Sequence, residues 1–202
     1  MMKILNINSS SNRINSITES YSKKIIKHLK ALYPNSKVVE RHTTYSGLPF
    51  LNQDMLDVLF VKGERNEEQE TFLTKSNELV TELKTSDILV IAAPIYNFGI
   101  PASLKAYFDL VARADLTFQY TENGPKGLLK NKKAFVVISS GGTKVDSDID
   151  FAGKYIKHFL GFIGITDVEI IKLDQLMFDS ENKLKAADIQ IKTIGQEPVL
   201  NS

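Results

Sequence analysis

Residues 87–101 read DILVIAAPIYNFGIP. Ile88 to Ala93 are apolar without polar alternation, the pattern of a central parallel strand covered on both faces. Pro101 suits the first turn of a helix, and the stretch that follows, ASLKAYFDLVARA, puts Leu104, Tyr107, Phe108 and Val111 on one stripe. A strand buried on both sides and followed directly by an amphipathic helix is half of a βαβ unit. The connector between them is unusual. A plain link needs one or two turn residues, and this one carries two aromatic rings and an asparagine between its prolines.

Working outward, KILNIN (3–8) reads as a buried strand running into the polar loop SSSN. A helix is expected from Ser16, where Ser16 and Glu19 have capping-box spacing. Its buried face would be Ile17, Tyr21, Ile25, Leu29 and Leu32, with Pro34 at its exit. SKVVER (36–41) is polar enough for an edge strand, and residues 43–65 form an irregular excursion with a short helix near 54–59. One long helix is expected over 67–85, burying Leu73, Leu79, Val80 and Leu83. FQYTENGPKGLL (118–129) reads as a loop turning at Asn123-Gly124-Pro125. KAFVVIS (133–139) is a buried strand ending in a glycine pair. A helix over 149–162 follows, with Phe151, Tyr155, Ile156, Phe159 and Leu160 as its apolar set. DVEIIKL (167–173) is a fifth strand, and residues 183–194 a last helix. Five strands alternating with five helices give an α/β fold: a five-stranded parallel sheet, order 2-1-3-4-5, with helices on both faces. No composition shift marks a boundary, so residues 1–195 read as one domain and 196–202 as a frayed tail.

The chain has 202 residues, 43% hydrophobic and 24% charged, ordinary for a globular protein. A formal charge of +1 provides no pull toward nucleic acid or an anionic membrane. With no cysteine there is no disulfide, cysteine-ligated zinc, iron–sulfur cluster or thiol nucleophile. No apolar run approaches the ~20 residues of a membrane span, and MMKILNINSS lacks a signal-peptide core, so the expected location is the cytoplasm.

Ligands of such sheets bind beyond the carboxyl ends of the strands, where strand order reverses. Three loops would converge there. SSSNRINSIT (9–18) offers hydroxyls and amides at a helix N-terminus, which suits a phosphate, although a polar turn with its N-cap explains Ser16 and Glu19 equally well. PIYNFG supplies flat apolar surface in Tyr96 and Phe98 and an amide in Asn97; either ring by itself could simply cap the core. In SSGG (139–142) two glycines allow backbone to approach a flat ligand, or simply make a turn. Together the three loops point to flavin mononucleotide. There is no G-x-G-x-x-G after the first strand and no phosphate loop for ATP or GTP. His28, His42 and His158 pair with no serine in a G-x-S-x-G context, and no H-E-x-x-H occurs. Chemistry without a triad, thiol or metal ligands must come from a cofactor.

From SS at 9–10, through ELKTSDILVIAAPIYNFGIPASLKAYFDLVARADLTFQYTENGPKGL, to FLGFIGITDV at 159–168, the chain resembles the FMN-dependent NADH:quinone oxidoreductases, also called FMN-dependent NADH-azoreductases. The resemblance implies a flavodoxin-like homodimer with tightly bound FMN, each site completed by the partner. Carried over by position, Ser10 and Ser16, Ile17 and Thr18 would bind the FMN phosphate. Ile95, Tyr96, Asn97 and Phe98 would pack along the isoalloxazine, and Ser139, Ser140, Gly141 and Gly142 would hold its other edge. Tyr120 and Phe162 would reach over from the second subunit to line the substrate pocket, and Asn97 would steady charge on the reduced ring. The implied chemistry is ping-pong: NADH reduces the flavin and leaves, and a quinone or azo compound takes its place. Two departures stand out. SSSNRINSIT is more polar than the family's usual loop, and Lys144 stands where some relatives carry histidine. A flavodoxin-type electron carrier would use the same loops, usually with an acidic surface. A hydrolase using Ser139 or Ser140 ranks third.

Overall fold

The structure, a computed structural model, describes residues 1–61 and 63–196. Among the described residues, seven strands and seven helices follow in the order β1 (Lys3–Asn8), α1 (Ile17–Leu32), β2 (Lys37–His42), α2 (Gln53–Leu59), α3 (Glu67–Phe72), α4 (Thr74–Thr85), β3 (Ile88–Pro94), α5 (Ala102–Val111), β4 (Phe118–Thr121), β5 (Gly124–Gly127), β6 (Lys133–Ser139), α6 (Phe151–Phe162), β7 (Asp167–Leu173) and α7 (Leu176–Thr193). Five strands form one parallel sheet in the order β2-β1-β3-β6-β7. The expected order 2-1-3-4-5 therefore needs correction. A separate antiparallel hairpin, β4–β5, intervenes along the chain between the sheet's adjacent strands β3 and β6, in the stretch expected to be a loop, so the chain-order reading is 2-1-3-6-7.

The period-2 alternation of each strand divides the core into two layers. Leu5, Ile7, Leu89, Ile91, Val136 and Ile138 face one way and meet α4, α5 and α6 through Leu79, Leu83, Leu104, Phe108, Ile156 and Leu160. Ile4, Val90, Phe135 and Val137 face the other way, toward α1 and α7 through Ile25, Leu29, Ala187 and Ile191. Every residue of β3 is buried, as its unbroken apolar run requires. β2 keeps its half-exposed pattern at the sheet edge.

Several helix expectations change. Tyr21, Ile25 and Leu29 are buried, but Ile17 and Leu32, at the two ends of α1, are exposed, because among the described residues no helix or strand covers the terminal turns. Phe151, at the first position of α6, is exposed for the same reason, and Tyr155 is half-buried. The single helix expected over 67–85 is broken at Leu73, which has ψ near 2°. Asn66 and Gln69 close a reciprocal capping box on the first piece, and the Thr74 hydroxyl donates to the Thr71 carbonyl at 2.6 Å across the break. α7 begins at Leu176, seven residues ahead of the expected start, with non-helical backbone at Asp179. Residues 197–202, most of the expected tail, lie outside the described residues. Among the described residues no helix is long and apolar enough to cross a membrane.

Candidate flavin site

The parallel sheet directs the ends of β1, β3 and β6 to one edge, and short hydrogen bonds join the loops that leave it. Ser9, fully buried, donates from its backbone N–H (3.1 Å) and its hydroxyl (2.7 Å) to the Ala92 carbonyl, tying the first loop to β3. The Ile95 N–H donates to Ser139 O at 2.7 Å, tying β3 to β6. The convergence of three loops follows from strand order.

The first loop is folded by its own side chains. Ser10 Oγ accepts from the Asn12 N–H at 3.1 Å, and Asn12 Oδ1 accepts from the N–H groups of Ile14 (3.1 Å) and Asn15 (2.9 Å). Ser16 is the N-cap of α1, its Oγ accepting from the Glu19 N–H at 3.2 Å and sharing a hydrogen with Thr18 Oγ1 at 3.2 Å. Only this half of the expected capping box forms. The Glu19 carboxylate turns instead to Lys23 at 2.7 Å and stands 3.8 Å from His42 Nε2. The cap leaves the amides of Ile17 and Thr18 without an intrahelical partner at the positive end of α1. Both residues belong to a cleft of about 170 Å³ lined by Ser10, Asn12, Asn15, Ser16, Ile17, Thr18, Pro94, Tyr96 and Ser139. Six of the residues singled out from sequence therefore meet in one cleft, drawn from all three loops. Asn12, Asn15 and Pro94 were not singled out; the two asparagines lay inside the polar loop, where their type signals Asx turns rather than a ligand.

Residues 96–99 close a tight two-residue turn. Tyr96 N donates to Gly99 O (3.0 Å) and Gly99 N to Tyr96 O (3.1 Å), while Asn97 and Phe98 between them have φ of 49° and 70°. Two left-handed central residues make this a type I′ turn. The glycine is not the residue in the left-handed region; a phenylalanine is, and its ring is 54% exposed. Phe98 thus holds a strained conformation without the return of core burial, a combination that concentrates at ligand-binding sites. Its carbonyl accepts from the Phe151 N–H at 3.3 Å, which braces the turn on the start of α6. Replacing Phe98 by glycine should therefore raise the stability of the ligand-free protein by about 1 kcal/mol in urea unfolding. An unchanged or lower stability would mean that the ring's contacts outweigh the strain.

Tyr96 is the shared wall of two cavities. Its hydroxyl accepts from the Ser11 N–H at 3.1 Å, and behind it lies a second cavity of about 490 Å³ bounded by Ser11, Thr44, Asn97 and Ile100–Ser103. Thr44 comes from the irregular excursion and shares a hydrogen bond with Ser103 at 3.0 Å. Ile95 packs its side chain against the apolar layer beneath. Ser140 is buried and its hydroxyl is engaged on both sides, donating to Thr143 O and accepting from the Gln175 N–H, which leaves it poorly placed as a nucleophile. Gly141 and Gly142 are exposed. The loop beyond them is fixed by two aspartates. Fully buried Asp150 caps α6 through the Gly153 N–H (2.8 Å) and accepts from the Asp146 N–H (2.9 Å). Lys172, hydrogen-bonded to Asp146 at 2.6 Å, holds that carboxyl below its ordinary range. Lys144 in the same loop is exposed.

Tyr120 and Phe162 stand elsewhere. Phe118 lies between them, its ring 5.2 Å from Tyr120 edge-on and 4.4 Å from Phe162. Phe162 ends α6, a 12-residue helix about 18 Å long whose first residue is bonded to the Phe98 carbonyl, so the pair sits at the far end of that helix from the turn. Neither lines either cavity of its own chain.

A family model described as a flavodoxin-like fold matches residues 2–195. The chain is 43% identical over 190 residues to the FMN-dependent NADH:quinone oxidoreductase 1 of Hahella chejuensis, covering 94% of this chain and 93% of that one. It belongs to the FMN-dependent NADH:quinone oxidoreductase family. Solved structures agree with the family's flavodoxin-like architecture. An azoreductase from Bacillus anthracis str. Sterne superposes with a TM-score of 0.87 at 25% identity, covering 96% of this chain and 98% of that one. An FMN-dependent NADH-azoreductase from Bacillus anthracis str. Ames Ancestor, solved in complex with FMN, gives 0.84 at 26% identity, with 95% and 97% covered.

Proposed function

We propose that this member of the quinone oxidoreductase family binds FMN with residues 1–195 as a single domain and carries two electrons from NADH to quinones and aromatic azo compounds. The observation that carries the reading is the cleft itself, where the first turn of α1, Ser10, Ser16, Thr18, Tyr96 and Ser139 meet. The donor set fits FMN. A helix N-terminus with free amides and hydroxyl donors takes a phosphate ester, and Tyr96 and Ser139 continue the cleft toward the strained turn and the glycine pair. Bound FMN would supply the two-electron chemistry that no side chain here offers.

The chain's own residues bind, orient and shield. Ser10, Ser16, Ile17 and Thr18 would hold the phosphate. Ile95 through its backbone, Tyr96, Asn97 and Phe98 would form one wall of the ring site. Ser139 to Gly142 would form the other, with Ser140 acting as the brace of its loop. In the turn, the Asn97 amide is free to donate toward a ring edge that gains charge, and Tyr120 or water would deliver protons. Because Tyr120 and Phe162 line neither cavity of their own chain, they serve this pocket only if a second copy brings them to it. A homodimer with its sites at the interface meets that need, and 73% exposure of Tyr120 leaves its ring available.

The test is to purify the protein with FMN and follow NADH oxidation with and without a quinone, in the absence of any protein partner. Yellow protein and quinone-dependent NADH oxidation are expected; a protein that neither holds flavin nor oxidises NADH overturns the reading. Flavin binding without NADH oxidation would favour an electron carrier. In the same assay Asn97→Ala should lower turnover by about tenfold, the effect of one lost hydrogen bond to a charged group. Unchanged turnover and FMN affinity would remove Asn97 from the mechanism.

A further inference from the structure

Beside the glycine pair lies an apolar surface that neither the core nor the flavin reading uses. Met177 and Phe178 open α7 at 79% and 75% exposure, although both are large and apolar. Their backbone is held in place. Gln175 N donates to Ser140 Oγ (3.2 Å), Leu176 N to Ser140 O (3.1 Å) and Met177 N to Gly141 O (3.1 Å). Gln175 adopts φ of 57°, and Asp179 leaves the helical region with φ of −146°, so irregular backbone flanks the two side chains. The side chains sit on the glycines. A Cβ added to Gly141 would meet Met177 Sδ at 3.0 Å, and one added to Gly142 would meet the Phe178 ring at 3.7 Å. Neither glycine has a positive φ, so backbone conformation does not require glycine at either position, and the exposed Met177 thioether has room to move from a Cβ at Gly141.

We propose that Met177 and Phe178 are specificity-determining residues, a shelf continuing the Ser139–Gly142 wall that favours acceptors with a second ring fused to the quinone ring. The inference rests on the flavin reading above and adds to it which acceptors the site selects. A one-ring quinone ends at the wall. A fused two-ring quinone extends past the glycines, which carry no side chain of their own, onto the thioether and the phenyl ring beside them, both suited to contact with a flat aromatic. Held out to water in the free protein, the two side chains gain burial only when something apolar covers them. Met177, unbranched, adapts to the outline of the second ring, while Phe178 gives it a flat face.

The experiment compares FMN-loaded wild type, Met177→Ala, Phe178→Ala and Phe178→Leu. Binding of 1,4-naphthoquinone and 1,4-benzoquinone to the oxidised holoenzyme is followed by flavin absorbance, and NADH-dependent turnover is measured with each. The ratio of naphthoquinone to benzoquinone kcat/KM should fall about tenfold in Phe178→Ala, with a matching loss of naphthoquinone affinity, and Phe178→Leu should recover part of it. Met177→Ala should move the ratio the same way by a smaller factor. Exposed positions make these substitutions compatible with folding. An unchanged ratio and unchanged naphthoquinone affinity overturn the proposal, as does release of FMN from Phe178→Ala, which would assign the ring to the cofactor. Failure of the functional reading has a different signature: wild type that oxidises no NADH with either quinone. Naphthoquinone binding to the oxidised protein still decides the shelf in that case.

Discussion

Gly127→Ala should destabilise the protein by about 3 kcal/mol, among the largest single-methyl effects this fold allows. A Cβ at this position would stand 2.1 Å from Gly164 N and 2.4 Å from both Gly164 Cα and the Ile163 carbonyl carbon. These are backbone atoms and cannot rotate aside. Overpacking a core of mobile side chains costs about 1–3 kcal/mol, and a clash with backbone belongs at the upper end. To relieve it the hairpin β4–β5 must lift from the end of α6, losing the 2.9 Å bond from Leu129 N to Ile163 O and separating Phe118 from Phe162. Urea unfolding measures the cost. Gly124→Ala is the control, because Gly124 has φ of 99° but open space around its missing side chain, so only backbone strain of about 1–2 kcal/mol applies. Equal effects at the two glycines would show that contact with Gly164 does not hold the hairpin. Since Tyr120 rides on that hairpin, Gly127→Ala should also raise KM for the acceptor, the result expected of the pocket role proposed for Tyr120.

Ile17→Asp should separate cofactor binding from folding. Ile17 is the first residue of α1, exposed, and part of the cleft lining. A carboxylate in the first helical turn interacts favourably with the helix dipole by about 0.3–1 kcal/mol, so thermal stability of the ligand-free protein should hold or rise slightly. A phosphate monoester in the same cleft would meet that carboxylate. At about 5 Å and an effective dielectric constant of about 20, one pair of like charges costs roughly 3 kcal/mol, a loss of about 100-fold in FMN affinity. Quenching of FMN fluorescence on titration reads the difference, with Ile17→Asn as the neutral counterpart. Equal affinities for the Asp and Asn variants would place the phosphate elsewhere.

The elements most legible in the sequence were those whose pattern and environment coincide. Ile88 to Ala93 is apolar throughout and buried throughout, and 133–139 and 167–173 were bounded correctly because turn residues flank them. The cleft was legible at the level of loops, because a parallel sheet must bring the ends of β1, β3 and β6 together. Individual atoms were not. Ser140, grouped with its neighbours, proves to be a brace whose hydroxyl is consumed by backbone. Phe98, at a position where glycine would be expected, holds the left-handed turn itself. The exposed Ile17, Leu32 and Phe151 show the limit of periodicity: it names a face but not where the neighbouring layer stops covering it.

Local pattern determined the βαβ alternation, the parallel sheet, the central strand and the polar loop before α1, because each depends on residues close in sequence. Tertiary structure decided what depends on distant backbone meeting backbone. GPKG, four residues with two glycines and a proline, has no strand propensity of its own, yet it pairs as β5 against Phe118–Thr121 and seats Gly127 on Gly164, 37 residues away. Met177 and Phe178 lie ahead of the last helix expected over 183–194 and carry no signal of their own; Ser140 and Gly141 fix them in solvent beside the crevice. Hydrophobic pattern specifies burial statistically, while the position of a loop against another loop is set by hydrogen bonds between segments the pattern does not connect.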